Sequence, residues 1–584
     1  MSSEFTAFFE DRRAPLGEPA AWLFAGLIDC LEVNDAVSLG AALQLLQDDP
    51  QWTVVRLDYE LGYLLEPRSA PPGWHPGERP VACFWRFARR ISLTADAAQA
   101  WLAQRDQGVA GVGGWQAAID QVAYAGAVNA IKQFICDGDC YQVNFTFPIA
   151  FDWFGSPLAL YARLREQQPV RYGGFVGDSR QGFVSLSPEL FVERTGDRLL
   201  TRPMKGTAPR SVAPDELRNS AKDCAENLMI VDLLRNDLGR IAENGSVRVD
   251  RLFDIEAYPT LWQMVSEVSA DVRGRSFGDI LQALFPCGSI TGAPKIRAMQ
   301  IAAELEIAPR GLYTGALGWL APDGDFRLNV AIRTLELGAD GHGKLGVGSG
   351  IVADSLAAAE WQECLLKSRF LRDCDPGLLL IETLRREDGR YPRLAGHLQR
   401  LQRSAEWLGF AFDEGRVTKL LDAQPAIGAW RVRLTLAKDG SLDVGAFSLG
   451  GEPVGPRYAA LASQPIDSTY PLRRHKTTDR VFYDGALKVL SDDPLLFDLV
   501  FLNERGEVAE GARSNVFVER DGMLLTPPLA SGALPGVLRA ELLAAGRARE
   551  AVLSPDDLAG GFWLGNALRG LVRVELRPGR YVVG

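Results

Sequence analysis

The sequence predicts an α+β protein built from at least two folding units. Three observations lead there. The chain is 584 residues long, well past the size at which a single hydrophobic core stops growing. Its residues are 47% hydrophobic and 23% charged, the balance of a folded globular protein rather than a disordered one. Strand-like runs and helical patterns are interspersed along the whole length, and the Pro-Gly stop in DCDPG at 373–377 separates one series from the next.

Taken in order, the first hundred residues alternate apolar runs such as WTVVRLDYELGYLLE and PVACFWRFARRISL with the breaks of SAPPGWHPGERP, which reads as strands and loops with a few helices. From Trp115, WQAAIDQVAYAGAVNAIKQFICDGD has apolar residues at helical spacing and ends at a DGD turn, predicting an amphipathic helix. The β-branched and aromatic CYQVNFTFPIAFDWF that follows predicts a strand. Residues 213–243 form one long helical pattern with acids in its first half, and 355–373 form another. After the Pro-Gly stop, LLLIETLRREDGRYPRL alternates like a hairpin about Glu-Asp-Gly-Arg. The boundary therefore falls at 375, giving domains of 1–375 and 376–584.

A net charge of −11, with no Lys/Arg-rich block, argues against a nucleic-acid or anionic-membrane partner. A small-molecule enzyme fits better. The start, MSSEFTAFFEDRRAP, interrupts any apolar leader with charges, and no stretch approaches the ~18 apolar residues of a membrane span, so a cytoplasmic location is expected. The eight cysteines include no CxxC pair and read as reduced thiols. The four histidines lie far apart, so any metal is expected to be held by oxygen.

Two acidic pairs could supply that oxygen. Asp223 and Glu226 lie three apart in KDCAEN, and Glu360 and Glu363 lie three apart in AAAEWQE, so each pair shares a helical face. One such pair is usually a solvated surface, but two of them offer the hard ligands that Mg²⁺ prefers. GVGSGIVADS at 346–355 reads as a glycine-rich turn feeding a helix, whose backbone N–H groups could hold a carboxylate. A second Gly-rich stretch, FPCGSITGAPKIRAMQIAAEL, also leads into a helix, with Pro294 at its N1 position. Arg333 and Thr334 stand beside the apolar run of FRLNVAIRTLEL, and an arginine so placed suits bidentate carboxylate binding.

These residues resemble the chorismate-utilising enzymes, the family of anthranilate synthase component I and aminodeoxychorismate synthase component I. The resemblance spans roughly 115–373, through SLSPELFV, PMKGTAPR, SAKDCAENLMIVDLLRNDLGRIA, FPCGSITGAPKIRAMQ, RGLYTGALGW, NVAIRT and GSGIVADS. It implies a sandwich of two β-sheets flanked by helices, with residues 1–110, which match only loosely, forming the rest of it. It also implies Mg²⁺ on Glu226 and Glu363, with Asp223 and Glu360 acting through water. Tyr313, Arg333, Thr334, Thr207 and the backbone at Gly348, Ser349 and Gly350 would hold chorismate. Glu189, in SLSPE, matches the general acid/base. Lys205 is the discriminating residue, because the anthranilate synthases carry a small residue there and the aminodeoxychorismate synthases a lysine. In the latter the lysine adds at C2 and expels the C4 hydroxyl, and ammonia then displaces it. One departure is Gln263, in PTLWQMVS, where many relatives have histidine.

The second part carries HLQRL at 397–401, RRHKTTDR at 473–480 and VAEGARSNVFVERDGMLLTPPLASGALPGVLRAELL at 508–543. Together they resemble the class IV pyridoxal-phosphate enzymes, with Val516 a mild exception to the signature. The resemblance implies Lys476 as the Schiff-base lysine, Glu510 as partner of the pyridine nitrogen, Arg400 as a phosphate ligand, and the N–H groups of Val537 and Leu538 at the phosphate. HKTTDR and GNALRG, with Asn566, Ala567 and Leu568, look most like aminodeoxychorismate lyase. The class allows a homodimer through this domain. About thirty residues of its usual N-terminal strand region are missing, so the domain starts at IETLR.

The product of the first resemblance is the substrate of the second. The combined expectation is a bifunctional enzyme that aminates chorismate and then eliminates pyruvate to give 4-aminobenzoate, a folate precursor. No glutaminase signature is present, so ammonia would come from solution or from a separate glutamine amidotransferase subunit. The alternatives are a synthase fused to an amino-acid aminotransferase or to a non-catalytic domain, and, at a further remove, an anthranilate synthase.

Overall fold

The computed structural model describes residues 5–105, 108–258, 261–450 and 455–583. MSSE of the leader reading, except for its context from Phe5 on, and Pro259 and Thr260 of the PTLWQMVS block lie outside the described residues. The chain divides into two compact units. One comprises Met1–Gly108, Trp115–Phe151 and Gly155–Cys374, and the other Val109–Gly114, Asp152–Phe154 and Asp375–Gly584.

The first unit is organised by one continuous 18-stranded sheet. Its spine is the antiparallel pair Ala21–Val33 and Ala82–Leu93, in register from Ala21↔Leu93 to Val33↔Ala82 with a shift between Leu27 and Asp29. Pairing runs outward from one side of this spine through Thr6–Glu10, Tyr172–Gly177, Gly182–Ser187, Thr334–Leu337 and His342–Ile351. From the other side it runs through Trp52–Leu57, Ala316–Leu320, Phe326–Val330, Leu190–Thr195, Arg198–Arg202 and Leu261–Asp271. The two halves face each other as a sandwich. Ala7, Phe9 and Val176 of one half pack with Val54, Leu317 and Trp319 of the other. Asn329 ties them by donating to the Tyr172 carbonyl at 2.9 Å and to Ser185 Oγ at 3.1 Å.

Helices close the outer faces. Leu39, Ile230, Leu234, Leu238 and Leu281 bury their side chains against sheet residues that include Val55, Leu199, Val268 and Phe326. On helix Ala357–Arg372, Trp361 stacks on Phe147 at 5.2 Å, a contact contributing about 0.5–1.5 kcal/mol beyond its buried area.

Several elements depart from the sequence expectation. The helix expected from Trp115 begins at Gln121, because Trp115–Ala117 belong to strand Gly111–Ala117 and Asp120 caps the helix by accepting from Ala123 N at 2.8 Å. The pattern at 213–243 is two helices, Pro214–Arg218 and Ala221–Gly239, interrupted where Ser220 leaves helical geometry to cap the second. Such a cap contributes about 1 kcal/mol. Pro294 is the N-cap of Lys295–Leu305 rather than its first residue. Gly346–Gly350 lie inside strand His342–Ile351, not in a turn. Glycine is needed there for close packing: a Cβ on Gly346 would stand 2.1 Å from the Tyr313 ring, and one on Gly348 would stand 2.5 Å from the Phe145 carbonyl oxygen.

In the second unit, strand Leu380–Glu387 pairs with Ala429–Leu436, which pairs in turn with Leu442–Ser448. The expected hairpin does not return. Asp388 and Gly389 make the turn with positive φ, but Pro392 cannot donate to a ladder and the chain enters helix Leu394–Leu408. The slot beside the strand goes to 429–436 instead. Leu401, Ala405, Leu408, Val417 and Leu421 pack on Leu384, Val432 and Leu434. An eight-stranded mixed sheet forms the rest, with Tyr458–Ala462 parallel to both Leu496–Leu502 and Gly570–Tyr581. Among the described residues no helix is long and apolar enough to cross a membrane.

Candidate active sites

In the first unit, Lys205 stands on strand Met204–Pro209 where the register against Leu261–Asp271 shifts between Met204 and Thr207. Lys205 and Gly206 are therefore a bulge, the usual device for re-aiming a strand side chain. Gly206 has φ +89°, and its would-be Cβ lies 3.0 Å from that of Asp223. The Gln263 amide donates to the Gly206 carbonyl at 2.8 Å. Glutamine thus fixes the backbone next to Lys205 without bringing a titratable ring.

Three carboxyl groups sense the Lys205 charge. Glu189 is buried and its carboxyl is pushed up by burial, against the pull of Lys205 and of a hydrogen bond from Ser289. That bond, Ser289 Oγ to Glu189 Oε1, is 2.8 Å long. Burial raises Glu226 as well, with Lys205 and Lys222 opposing and Asp223 and Asp354 adding to the rise. Burial also pushes on Glu363, but Lys367, Lys205 and Lys222 prevail and hold it below the ordinary range. The helices Ala221–Gly239 and Ala357–Arg372 therefore present Glu226 and Glu363 to the same lysines. The other two acids are engaged locally: Asp223 with Ser220, and Glu360 with Ser355 Oγ at 2.9 Å.

Arg333 sits at φ +49° in the break between two strands and donates to Gln168 Oε1 at 2.8 Å. Burial lowers its guanidinium below the ordinary value, with Tyr258 opposing. Tyr313 is buried with its ring on Gly346. The Gly348 carbonyl accepts from Lys367 Nζ at 2.9 Å, and Gly350 is packed on the Gln142 side chain. Two hydroxyl groups among the expected substrate residues have partners within the protein, which leaves the Ser349 backbone unaffected. Thr334 Oγ1 bonds Ser185 Oγ at 2.9 Å, and Ser349 Oγ bonds Tyr124 Oη at 2.8 Å. Thr207 is exposed. The sequence reading missed Ser289, Lys222 and Lys367. Lys367 left a trace, four residues after Glu363 on one helix face.

In the second unit, Lys476 follows the short helix Pro471–Arg474 and lies along strand Leu380–Glu387, its carbonyl accepting from Ile381 N at 2.8 Å. Its amine is buried, pushed down to about 7 by burial and by Arg400, with Glu382 opposing and Arg480 and Arg433 adding to the fall. It donates to Thr383 Oγ1 at 3.1 Å. Arg400 grips Glu382 through Nε at 2.8 Å and Nη2 at 2.6 Å, and its Nη1 reaches the Pro535 carbonyl at 3.4 Å. His397 Nδ1 stands 2.6 Å from the same carboxylate. Two donors of Arg400 are thus engaged by Glu382, a partner the sequence reading did not name. Glu510 is buried, raised by burial, and accepts from Leu534 N at 2.8 Å and from Tyr483 Oη. Val537 and Leu538 open helix Val537–Ala544, whose N-cap, Gly536, packs on Asn515 and offers no side-chain cap. Asn566 Oδ1 accepts from Leu568 N at 3.1 Å and Arg569 N at 2.9 Å, closing the GNALRG turn.

A family model described as chorismate binding enzyme matches residues 27–373. The chain belongs to the chorismate-binding enzymes. Residues 379–576 match the class IV amino-transferase model, so this chorismate-binding enzyme carries a class IV domain in its second part. Aminodeoxychorismate synthase component 1 of Klebsiella aerogenes is 41% identical over 292 residues, covering 47% of this chain and 64% of the relative. Anthranilate synthase component 1 of Streptomyces coelicolor is 40% identical over 271 residues, covering 45% and 53%. The aligned stretches are thus less than two thirds of these relatives' own length. The solved structure of anthranilate synthase component I from Streptococcus pneumoniae matches with a TM-score of 0.54 at 24% identity, over 61% of this chain and 92% of that one, and shares the fold of the first unit.

The class IV fold of this chorismate-binding enzyme implies pyridoxal phosphate, and the residues fit it. A desolvated amine whose neutral form is favoured, a buried carboxyl and an uncapped helix start with a glycine are features the cofactor calls for. For Mg²⁺ the donor chemistry also fits, since Glu226 is a carboxyl whose ionisation is opposed by burial and by neighbouring acids, a cost a cation would relieve. The four acids do not converge on one point, however. Among the described residues the metal-ligating atoms that do cluster are those of Cys30, Glu32 and Cys83, within 4.8 Å of one another on the sheet.

Proposed function

We propose that the protein converts chorismate and ammonia to 4-aminobenzoate, pyruvate and water by way of 4-amino-4-deoxychorismate. The observation that carries the proposal is Lys205, a lysine set by a bulge where its charge reaches Glu189, Glu226 and Glu363. Amination belongs to the segment 1–375 and elimination to 376–584.

In the first step the Lys205 amine adds at C2, the ring double bonds shift, and the C4 hydroxyl leaves as water with a proton from Glu189. Burial favours the protonated form of that carboxyl, and Ser289 holds one of its oxygens in place. Ammonia then adds at C4, the double bonds shift back, and Lys205 is expelled from C2. The emptied Glu189 takes the proton that the incoming nitrogen sheds. Arg333, Tyr313 and the backbone at Gly348 would take the substrate's carboxylates. Mg²⁺ held by Glu226 and Glu363 would neutralise the ring carboxylate.

For the second step, pyridoxal phosphate held at Lys476 would supply an electron sink. Lys476 takes the C4 proton, for which its amine must be neutral, and burial among arginines favours that form. The enolpyruvyl oxygen leaves, takes up a proton and yields pyruvate, and the ring becomes aromatic. Glu510 would partner the pyridine nitrogen, and the N–H groups of Val537 and Leu538 would hold the phosphate. Arg400 acts one layer back, fixing Glu382 beside Thr383. Ammonia is expected from solution or from a separate glutamine amidotransferase subunit, the kind of partner that the component 1 names of its relatives suggest.

Product analysis decides the reading. Chorismate, Mg²⁺ and ammonium with pyridoxal phosphate should give 4-aminobenzoate and pyruvate. Without the cofactor, 4-amino-4-deoxychorismate should accumulate. Anthranilate as the product would overturn the first step, and accumulation of the intermediate despite bound cofactor would overturn the second.

A further inference from the structure

The second unit includes two short stretches that precede its main segment by more than two hundred positions: Val109–Gly114 and Asp152–Phe154. They enter its core. Phe154 is buried with Leu401, Ala405 and Leu408, and Val109 and Trp407 pack against the same cluster. Ala110 N donates to the Pro376 carbonyl at 3.2 Å. Gly111 fits between Pro376 and the Phe154 ring, where a Cβ would stand at 2.7 and 2.8 Å. Gly113 lies flat on Trp407, and a Cβ there would be 2.3 Å from the indole. Gly114, at φ +68°, leaves 2.8 Å between its would-be Cβ and Trp407 Nε1.

Trp407 connects this brace to the lysine. Its ring stacks on His475 with centroids 4.4 Å apart and planes at 26°. His475 also meets Ser404 Oγ through Nδ1 at 3.0 Å. His397, Arg400, Ser404 and Trp407 follow one another at helical spacing on Leu394–Leu408, so a single face of that helix holds Glu382 at one end and His475 at the other. Lys476 is the next residue after His475. Its position is thus registered twice, through the Ile381 N–H on its carbonyl and through the ring before it. The part of the chain that matches the class IV model from residue 379 thus receives packing from stretches far earlier in the sequence.

We infer that Gly113, Trp407 and His475 are positioning residues for Lys476, so that the strand segment Val109–Gly114 sets the chemistry of the second site. The inference rests on the reading of Lys476 as the reactive amine. The groups facing that amine are Arg400, Glu382 and His397 from one side and Arg480 and Arg433 from the others. Loosening the Trp407 stack lets His475 and Lys476 move toward solvent, where the amine regains water and takes a proton more readily.

The test labels the full-length protein with acetic anhydride across a pH series and quantifies Lys476 by mass spectrometry, a readout that needs neither cofactor nor turnover. In the wild type the labelling midpoint should fall near 7. Trp407→Ala should raise it by about one pH unit, a tenfold lower neutral fraction at fixed pH, and Trp407→Phe, which keeps a ring on His475, should return most of the shift. Gly113→Val should act like Trp407→Ala, and combining the two should give back part of the effect because the truncated ring makes room for the valine. Chorismate consumption should not change in any of them. Midpoints unchanged in both single variants, with only thermal stability lowered, would overturn the inference. So would an equal shift in Trp407→Phe and Trp407→Ala. Cofactor uptake, followed separately by the absorbance of bound pyridoxal phosphate, reports on the underlying reading: its absence in the wild type would defeat that reading whatever the labelling shows.

Discussion

Lys205 and Lys476 are the same side chain in opposite surroundings. Lys205 is half-buried on a bulge, ringed by Glu189, Glu226 and Glu363. Lys476 is half-buried too, but its amine is desolvated, with Arg400, Arg480 and Arg433 near it and Glu382 opposing them. Carboxyl groups favour an ammonium, and burial among guanidinium groups favours a free amine. The contrast teaches that the surroundings of Lys476 favour its free amine. At the first site, it is the carboxyl groups that answer to the lysine: burial raises Glu189 and Glu226 against the pull of Lys205, while Lys205 helps Lys367 hold Glu363 down.

The largest test of this contrast is Lys476→Ala. Pyruvate release, followed with a coupled dehydrogenase, should fall by roughly 10³-fold or more, as expected for loss of the proton-transfer group, while chorismate is still consumed. Loss of both activities would mean the two lysines do not serve separate steps. Lys205→Met should do the converse, cutting ammonia-dependent chorismate consumption by roughly 10³-fold and sparing 4-aminobenzoate formation from added 4-amino-4-deoxychorismate.

A smaller effect should follow Glu382→Gln. It removes a carboxylate opposing the arginines, so the Lys476 midpoint should drop below about 7. Because it also strands Arg400 in a buried pair, denaturant unfolding of the second unit should lose about 3–5 kcal/mol. The wild-type pH dependence has a fixed sign. The folded-state value of Lys476 lies below the ordinary 10.5, so between about 7 and 10.5 the unfolded chain binds more protons, and stability rises with pH across that window. The smallest effect belongs to Ser289→Ala. Deleting the donor that favours the Glu189 carboxylate should raise the carboxyl further, moving the corresponding limb of the chorismate pH–rate profile to higher pH. The rate itself should change only a few-fold, in line with about 1 kcal/mol for one hydrogen bond.

Much of this was legible in the sequence because the signals are local. Helical spacing placed Glu360 and Glu363 on one helix, and the ordered blocks around Lys205 and Lys476 carried the two-part organisation. What stayed hidden depends on partners distant along the chain. Nothing around Arg400 announces that Glu382 engages two of its donors, and nothing in GVGSG distinguishes a turn from a strand whose glycines admit Tyr313 and Phe145. The segment from Trp115 failed for a different reason. Its apolar spacing is compatible with a helix from the start, but Asp120 caps more strongly than spacing alone, and the residues before it join a strand. Ser289 was overlooked because a serine in a glycine-rich stretch has no periodicity to mark it, and its partner Glu189 lies a hundred positions earlier.

The brace formed by Val109–Gly114 and Asp152–Phe154 also bears on how the protein is made. On a ribosome these stretches emerge early, long before the helix that carries Trp407. The aromatic face of Phe154 must therefore wait uncovered while most of the first unit is synthesised, and the nascent chain cannot complete its units strictly one after the other. Chaperone dependence of a partly translated chain, ended once Trp407 has left the exit tunnel, is the signature of that delay.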